Sequence, residues 1–490
     1  MRLPAAYTYF GQFVNHDISA PVGDVVAQSR PASPAGIVGA VDPPGLDRDR
    51  RSASDTILAS LINEHAAPLS LASLYEDGPS SNDPQVAALY TADGLLFRLA
   101  TTSVAPDSFF SITLGIPAGT VVHASGARDI PRKNRKPLIA DHRNDENVII
   151  SQLHLAMMLF HNKAVVALKP HFADRAQRFR EARRLVTRHY QWLILNDYLP
   201  SLLSREVLRR PLAEWPSRLT EMNAVPLEFT TAAFRFGHSM VGSAYDFNAN
   251  FGIDGRISAT GASLEDIFAF TSHKNMQSVE AKTLRLPDHW VIDWDRMTRD
   301  PGLVARNVEE LGGAEPIDMN FAREMLTIIG DSSVAVHGSI LFRNLMRGFH
   351  RRIPFGQRLA QQYGVTVLTE DDVRQALPEP LPGAPATEDL RQVAEDLGML
   401  KETPAWLYFL CESKAREAGE RLGATASHII ADTITGLMKL NPESVLNFAG
   451  GTWHPRDSIL RGQTADGLTT IRDFLLFAVE DTAVRPTGQS

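Results

Sequence analysis

Three short segments of this chain hold residues whose types and spacing can do chemistry. The first is Gly11-Gln12-Phe13-Val14-Asn15-His16-Asp17. On a helix Gln12 and His16 stand at i and i+4, so both side chains reach one site. The second is Asp141-His142-Arg143-Asn144-Asp145-Glu146-Asn147. Asp141 is placed to cap the helix that follows, and Arg143 and Glu146 share a face at i and i+3. The third is Phe234-Arg235-Phe236-Gly237-His238-Ser239-Met240-Val241. A glycine before a histidine in an apolar, aromatic helix removes bulk where something flat must approach closely. That arrangement suits a histidine ligating a planar cofactor. Each segment also has an ordinary reading. A single helical histidine usually packs in a core or faces solvent, and a charged helix start usually holds a surface ion pair.

The elements that must position these residues are mostly helical. Apolar periodicity predicts helices over 5–19, 146–168, 175–204, 226–242, 318–348, 403–418 and 423–439. The 146–168 segment is apolar so widely round its axis that it must be deeply buried, and His154 and His161 on it read as structural. Alternating patterns predict only short strands, at 110–114 and 365–368. Stretches rich in Pro, Gly, Ser and Asp at 20–56, 76–85 and 376–388 read as loops. No repeat at a solenoid period and no sharp change of composition divides the chain, so one mainly α domain over 1–490 is expected.

Composition narrows the function classes. Apolar residues make up 44% of 490, enough for a sizeable core, and the net charge of −8 gives no reason to expect nucleic acid or an anionic membrane as partner. No run approaches a transmembrane span, and Met1-Arg2-Leu3-Pro4 lacks the cationic start and apolar run of a signal peptide. Cys411 is the sole cysteine, so an intramolecular disulfide is impossible. That fits a reducing compartment and leaves secretion without disulfides open. There is no Cys-x-x-Cys-His for thioether attachment of haem and no paired-cysteine zinc site.

In this order and at these spacings, the three segments resemble the animal-type haem peroxidases of the peroxidase and cyclooxygenase superfamily, and most of all its bacterial branch. There the motifs read Gly-Gln-Phe-x-Asp-His-Asp, Arg-x-x-Glu-Asn and Phe-Arg-x-Gly-His. Further stretches are similar to the family: Pro68 to Pro79 around Leu74-Tyr75, Glu181-Ala182-Arg183 through Asn196-Asp197-Tyr198-Leu199-Pro200, Arg343-Asn344-Leu345-Met346-Arg347-Gly348 through Gln357, Thr403 to Tyr408, and Gly419 to Gly423. The resemblance runs from residue 5 to about 480. It implies a helical haem peroxidase-like domain with few short strands, one that lacks the family's N-terminal extension because the chain opens almost on the distal helix.

The resemblance also implies roles. His16 matches the distal histidine, which takes a proton from the near oxygen of peroxide and returns it to the leaving oxygen. General acid–base catalysis of this kind contributes ~10²–10⁴ in rate. Arg143 matches the guanidinium that stabilises the negative charge of the leaving oxygen. Gln12 matches the residue that holds distal water or halide near the histidine. His238 matches the proximal iron ligand, Arg235 a partner of a haem propionate, and Asn447, reached by family spacing from Gly423, the hydrogen-bonding partner of His238. The cofactor is then haem b, and the partners are hydrogen peroxide and a small halide or organic electron donor.

Two departures from the family pattern matter. Asn15 stands where many members have an aspartate that esterifies a haem methyl, so at most one ester is expected, through Glu146. The family's calcium positions, aligned on Tyr75, hold Ala66, Ser70 and Ala72 beside a retained Asp17, too few oxygens for a calcium shell. Asp17 then needs another partner, with His65 one candidate. A shifted register would let Glu64, Glu76 or Asp77 supply oxygen. Two other functions compete with the peroxidase reading. A fatty-acid dioxygenase of the cyclooxygenase kind needs a tyrosine three residues before the proximal histidine, where this chain has Arg235. A haem carrier without turnover has no need of His16 and Arg143.

Overall fold

The chain was analysed as a computed structural model. It describes residues 2–19, 68–102, 129–133, 136–221, 225–268, 271, 285–301, 311, 313–326, 339–380, 389–462 and 464–480. The expected strand at 110–114, the loop at 20–56 and most of the loop at 376–388 lie outside the described residues. The expectation of a mainly helical chain with few short strands holds.

The central element is a helix buried on nearly every side, and it is reached from α1 (Ala5–Ile18) through α2 (Ala72–Tyr75). This helix, α3 (Val148–Ala167), buries 15 residues, and its start is fixed by Asn147, whose side chain accepts from the Ile150 N–H at 2.9 Å. A capping amide of this kind satisfies one of the donors that a helix N-terminus leaves open. Against α3 pack α1, α4 (Arg175–Leu193) and a helix near the end of the chain. α4 is amphipathic, and Asp174 caps it by accepting from Gln177 N–H at 2.7 Å. It runs on into a wide π turn at Ile194–Tyr198 and a last turn at Leu199–Leu202, so the expected helix over 175–204 is present with a change of pitch inside it.

The other half is built from α5 (Ile340–His350), α6 (Gly356–Tyr363), α7 (Glu370–Ala376), α8 (Ala405–Glu417), α9 (Ala424–Leu440) and α10 (Ile471–Val479). α10 is the late helix that closes on α3, while α5, α6 and α7 pack around α8. Among the described residues the paired strands are two antiparallel two-residue ladders, Arg132–Lys133 with Lys136–Pro137 and Ala244–Tyr245 with Ala262–Ser263.

Three expectations need correction. Residues 365–368 are an extended link rather than a strand. Val365 and Leu368 are buried, but their N–H groups go to Ala360 O at 2.9 Å and the Tyr408 hydroxyl at 2.9 Å, not to another strand. The helix expected over 226–242 breaks after Leu227–Thr231. Ala232 leaves helical geometry at φ −134°, ψ −59°, and Ala233–His238 continue as a tighter 3₁₀ turn. Of the helix expected over 318–348, residues 327–338 lie outside the described residues, and among the described ones a regular helix forms from Ile340 while Arg323–Leu326 make a 3₁₀ turn. Asp318 accepts from Asn320 N–H at 2.8 Å and from its side-chain amide at 3.1 Å, and such a local turn competes with helix.

The segment before α2 is strained. Leu69 and Leu71 have φ of 64° and 59°, a left-handed conformation costing a side-chain-bearing residue on the order of 1–2 kcal/mol each. Full burial of both side chains helps hold it. So do two hydrogen bonds, Gln191 Nε2 to Leu69 O at 2.8 Å and Leu71 N–H to the Asp17 carboxylate at 3.1 Å.

Candidate active site

The three chemistry-bearing segments, far apart in sequence, meet at one cavity of about 260 Å³. α1 supplies Gln12, Asn15 and His16, the turn before α3 supplies Arg143 and Glu146, and the 3₁₀ turn supplies Arg235 and His238. α5 adds Arg343 and Arg347, to which the sequence had assigned no role.

His16 is buried, and its Nδ1 lies 2.8 Å from Asn144 Oδ1. An amide oxygen can only accept, so Nδ1 carries the proton and Nε2 keeps a free lone pair. Burial, reinforced by Arg143, lowers the imidazole to about 4, so it is neutral at ordinary pH. Asn144 in turn is held by His154, with Nδ2 at 3.0 Å from Nδ1. His154 is therefore part of the support for His16, beyond the structural role expected of it. His161 does have that structural role, 3.0 Å from the Tyr75 hydroxyl and 3.0 Å from Leu95 O.

Arg143 is fixed by Asp141, which accepts from Nε at 3.0 Å and from Nη2 at 2.5 Å, while Nη2 also reaches the backbone oxygen of His16 at 2.9 Å. Burial alone would raise the Asp141 carboxyl, but the adjacent guanidinium outweighs it and holds the group well below the usual carboxylate range. A planar fork against a carboxylate leaves little rotational freedom, so the cation is pre-placed beside His16. Gln12 donates to Glu146 Oε2 at 3.0 Å, and burial pushes the Glu146 carboxyl up to about 7.

His238 shares a hydrogen bond at 2.9 Å between its Nδ1 and the side-chain amide of Asn344 on α5. Burial, then Arg235 and Arg347, lowers this imidazole to about 3, so it is neutral and able to ligate a metal. The Oδ1 of Asn344 is buried with no hydrogen-bonding partner. As placed, the amide nitrogen faces Nδ1; turning the amide over exchanges only its nitrogen and oxygen and presents the oxygen to Nδ1–H, which leaves Nε2 for a metal. The expected partner Asn447 is elsewhere. Its amide donates to the backbone oxygens of Lys439 at 2.9 Å and Asn441 at 2.8 Å, closing the open carbonyl end of α9.

The lining of the cavity is rich in cationic side chains. At Gly237, which lines it, an added Cβ would meet nothing within 4 Å. Four lining guanidiniums, Arg143, Arg235, Arg343 and Arg347, face one lining carboxyl, Glu146. Arg235 is additionally steered by donating from Nε to Thr230 O at 2.9 Å. Asn15 lines the same cavity with its Oδ1 buried and unpartnered.

Asp17 points away from this cavity, into the strained segment. Its carboxylate accepts from Leu71 N–H, from Ser73 N–H at 3.2 Å and from the Ser73 hydroxyl at 3.0 Å. Glu64, His65 and Ala66 lie outside the described residues. Among the described residues no helix is long and apolar enough to cross a membrane.

Comparison with known proteins places the chain among similar sequences and folds. Residues 118–284 match the family model of the animal haem peroxidases. Mouse thyroid peroxidase is 32% identical over 117 residues, 23% of this chain and 13% of that protein. Mouse eosinophil peroxidase is 30% identical over 107 residues, 21% of this chain and 15% of its own length. The matches thus span a small part of these curated relatives. Among solved structures, peroxidase A of Dictyostelium discoideum superposes with a TM-score of 0.51 at 18% identity, over 95% of this chain and 85% of that one. A fatty acid α-dioxygenase of Oryza sativa gives 0.55 at 11% identity, over 97% and 74%. These likenesses show the fold.

Proposed function

We propose that the protein reduces hydrogen peroxide at a b-type haem while oxidising a small halide or organic donor, a reading supported by the match of residues 118–284 to the animal haem peroxidase family model and by the fold it shares with a peroxidase and with fatty acid α-dioxygenases. The observation that carries this reading is the convergence of neutral His16, anchored Arg143 and neutral His238 on one cavity. Bound haem supplies the iron at which peroxide is taken up and reduced. His238 would hold that iron, Asn344 would orient His238, and Arg235, Arg343 and Arg347 would take the propionates.

The chain's own residues do the proton work. His16 Nε2, unprotonated, accepts the proton of the near peroxide oxygen and then delivers it to the far oxygen as that leaves. Asn144 keeps the ring in the one tautomer able to do both. Arg143, held by Asp141, meets the negative charge that grows on the leaving oxygen without having to move. Gln12 and Glu146 close the same end of the cavity with a polar pair suited to a water or halide.

The carrier reading leaves the His16–Asn144–His154 chain and the Asp141–Arg143 pair without a purpose. The dioxygenase reading lacks its tyrosine, because Arg235 stands three residues before His238. Haem-loaded protein mixed with hydrogen peroxide tests the proposal. Consumption of peroxide with oxidation of a donor supports it, and a haem protein that leaves peroxide intact overturns it.

A further inference from the structure

The cavity wall contains tyrosines that the proton chemistry does not use. Tyr198, in the wide π turn, lines the cavity beside Gly11 and Gln12. Its hydroxyl packs so closely on Gly11 that an added Cβ there would lie 2.0 Å from the oxygen. On its far side Tyr198 stacks on Tyr7, with ring centroids 6.4 Å apart and planes 20° from parallel. Tyr7 is only half-buried, and its hydroxyl donates to Asp197 Oδ1 at 2.7 Å. Asp197 is held in place by Ile471 N–H on its other oxygen at 2.6 Å.

A tyrosine that loses an electron must also lose its phenolic proton, so an oxidisable tyrosine needs an acceptor within hydrogen-bond reach. Tyr7 has one in the Asp197 carboxylate, at a distance suited to proton transfer. The cavity's second tyrosine does not. Tyr9 donates to the Tyr245 hydroxyl at 2.8 Å, both rings are fully buried, and Tyr245 in turn accepts from Gly242 N–H, which cannot take a proton. The π turn explains why Tyr198 and Asp197, adjacent in sequence, serve the same neighbour. In this widened turn the Tyr198 ring lies against Tyr7 and the preceding carboxylate, Asp197, accepts from the Tyr7 hydroxyl, and such turns recur at functional positions.

We propose that Tyr198 and Tyr7 form an electron relay from the cavity to the surface, with Asp197 taking the Tyr7 proton, so that phenols too bulky to enter the cavity are oxidised at Tyr7. The proposal rests on the peroxidase reading. Reduction of one hydrogen peroxide to two waters takes two electrons and two protons. Each electron passes from Tyr7 to Tyr198 and on into the cavity, with the Tyr198 phenolic proton released into the cavity it lines and regained there as Tyr7 reduces it, while the Tyr7 proton passes to Asp197 and on to solvent. The Tyr7 radical then takes a hydrogen atom from a phenol and is restored. Two phenols become two phenoxyl radicals per peroxide, and the two protons released at Asp197 balance the two taken up in the cavity.

The test is freeze-quench electron paramagnetic resonance on the haem-loaded full chain after one equivalent of hydrogen peroxide, with peroxide loss followed separately. A tyrosyl signal that narrows when the chain carries ring-deuterated tyrosine is expected. Tyr7→Phe should remove most of it, as should Tyr198→Phe even though Tyr7 is intact, while Tyr245→Phe should leave it. Far-ultraviolet circular dichroism shows that each variant is folded. Oxidation of a bulky phenol should fall with the signal. If peroxide is consumed and the signal survives both Tyr7→Phe and Tyr198→Phe, the relay is wrong and the peroxidase reading stands. If peroxide is not consumed, both fall.

Discussion

Asn144 turns its side-chain oxygen to Nδ1 of His16, 2.8 Å away, and so decides which nitrogen of that ring faces the cavity. Asn144→Leu should leave the Nδ1–H without a partner, at a cost of about 1–3 kcal/mol in stability, measurable by urea titration. The reaction with peroxide should also slow, though less than on loss of the imidazole itself. Because burial sets the ring near 4, His16 stays a base through neutral and mildly acidic pH and its contribution to the rate should be lost as pH drops through about 4, whereas Glu146 in the same cavity changes charge near 7. The shift at His16 also affects folding. The unfolded chain binds this proton below 6.5 and the folded chain does not, so stability declines as pH falls from 6.5 toward 4.

His16→Ala and Arg143→Ala should both still bind haem, because neither is the proposed ligand. Stopped-flow rates with hydrogen peroxide should fall by roughly 10²–10⁴ for His16→Ala. Rates within a few-fold of the parent would move the reading to a haem carrier.

His238→Ala should lose most haem, seen as loss of the Soret band after gel filtration. Asn344→Ala should weaken haem binding by about 10–100-fold, the usual effect of removing the partner of a ligating histidine. Asn447→Ala should leave haem affinity unchanged and cost only the closure of α9. A result with the two asparagines reversed would restore the expectation drawn from sequence spacing.

At most one covalent ester should form, through Glu146, since the amide at Asn15 cannot make one. After brief peroxide treatment, acid–organic extraction should release all haem from Glu146→Gln. Haem retained by that variant would mean another side chain makes the bond.

Chelation should not destabilise the protein. Asp17 is engaged with two N–H groups and a hydroxyl of the segment at α2, which is the work a cation-binding carboxylate would otherwise do. Dialysis against EDTA should leave the melting temperature unchanged, whereas Asp17→Ala should lower stability by about 1–3 kcal/mol. Stoichiometric calcium surviving dialysis would contradict this.

The helices flanking the site were legible because their apolar faces repeat with helical period, and α1, α3, α8 and α9 form within a residue or two of their expected bounds. His16, Arg143, Glu146 and His238 were legible because the motifs hold them at fixed short spacing. Asn344 was not, although a signal existed. It is a buried polar residue of α5, as is His350, and stands between Arg343 and Arg347, and no short-range rule connects it to a histidine 106 positions earlier. Asn447 misled because counting along the chain across a helix end cannot show which way a side chain turns. Three open carbonyls near it outcompeted a distant ring. The break at Ala232 was hidden for a related reason. Ala, Phe and Thr around it all tolerate helix, and the tight turn goes with two contacts not readable from local sequence, Arg235 Nε to Thr230 O and His238 to Asn344.

α1 buries 11 of its 14 residues, and its partners in that burial come from later in the chain, among them α3 and the turn at Ala233–His238. During synthesis, then, Phe10, Phe13 and Val14 leave the ribosome well before α3 and the Ala233–His238 turn that pack on this helix. Exposed apolar surface on a nascent chain invites premature association, so this helix is the natural client for a chaperone. The cavity wall is not complete until α5 has emerged, more than three hundred residues after His16, so on the proposed reading cofactor loading is a late event, and a chain stalled before Ile340 would lack Arg343, Asn344 and Arg347.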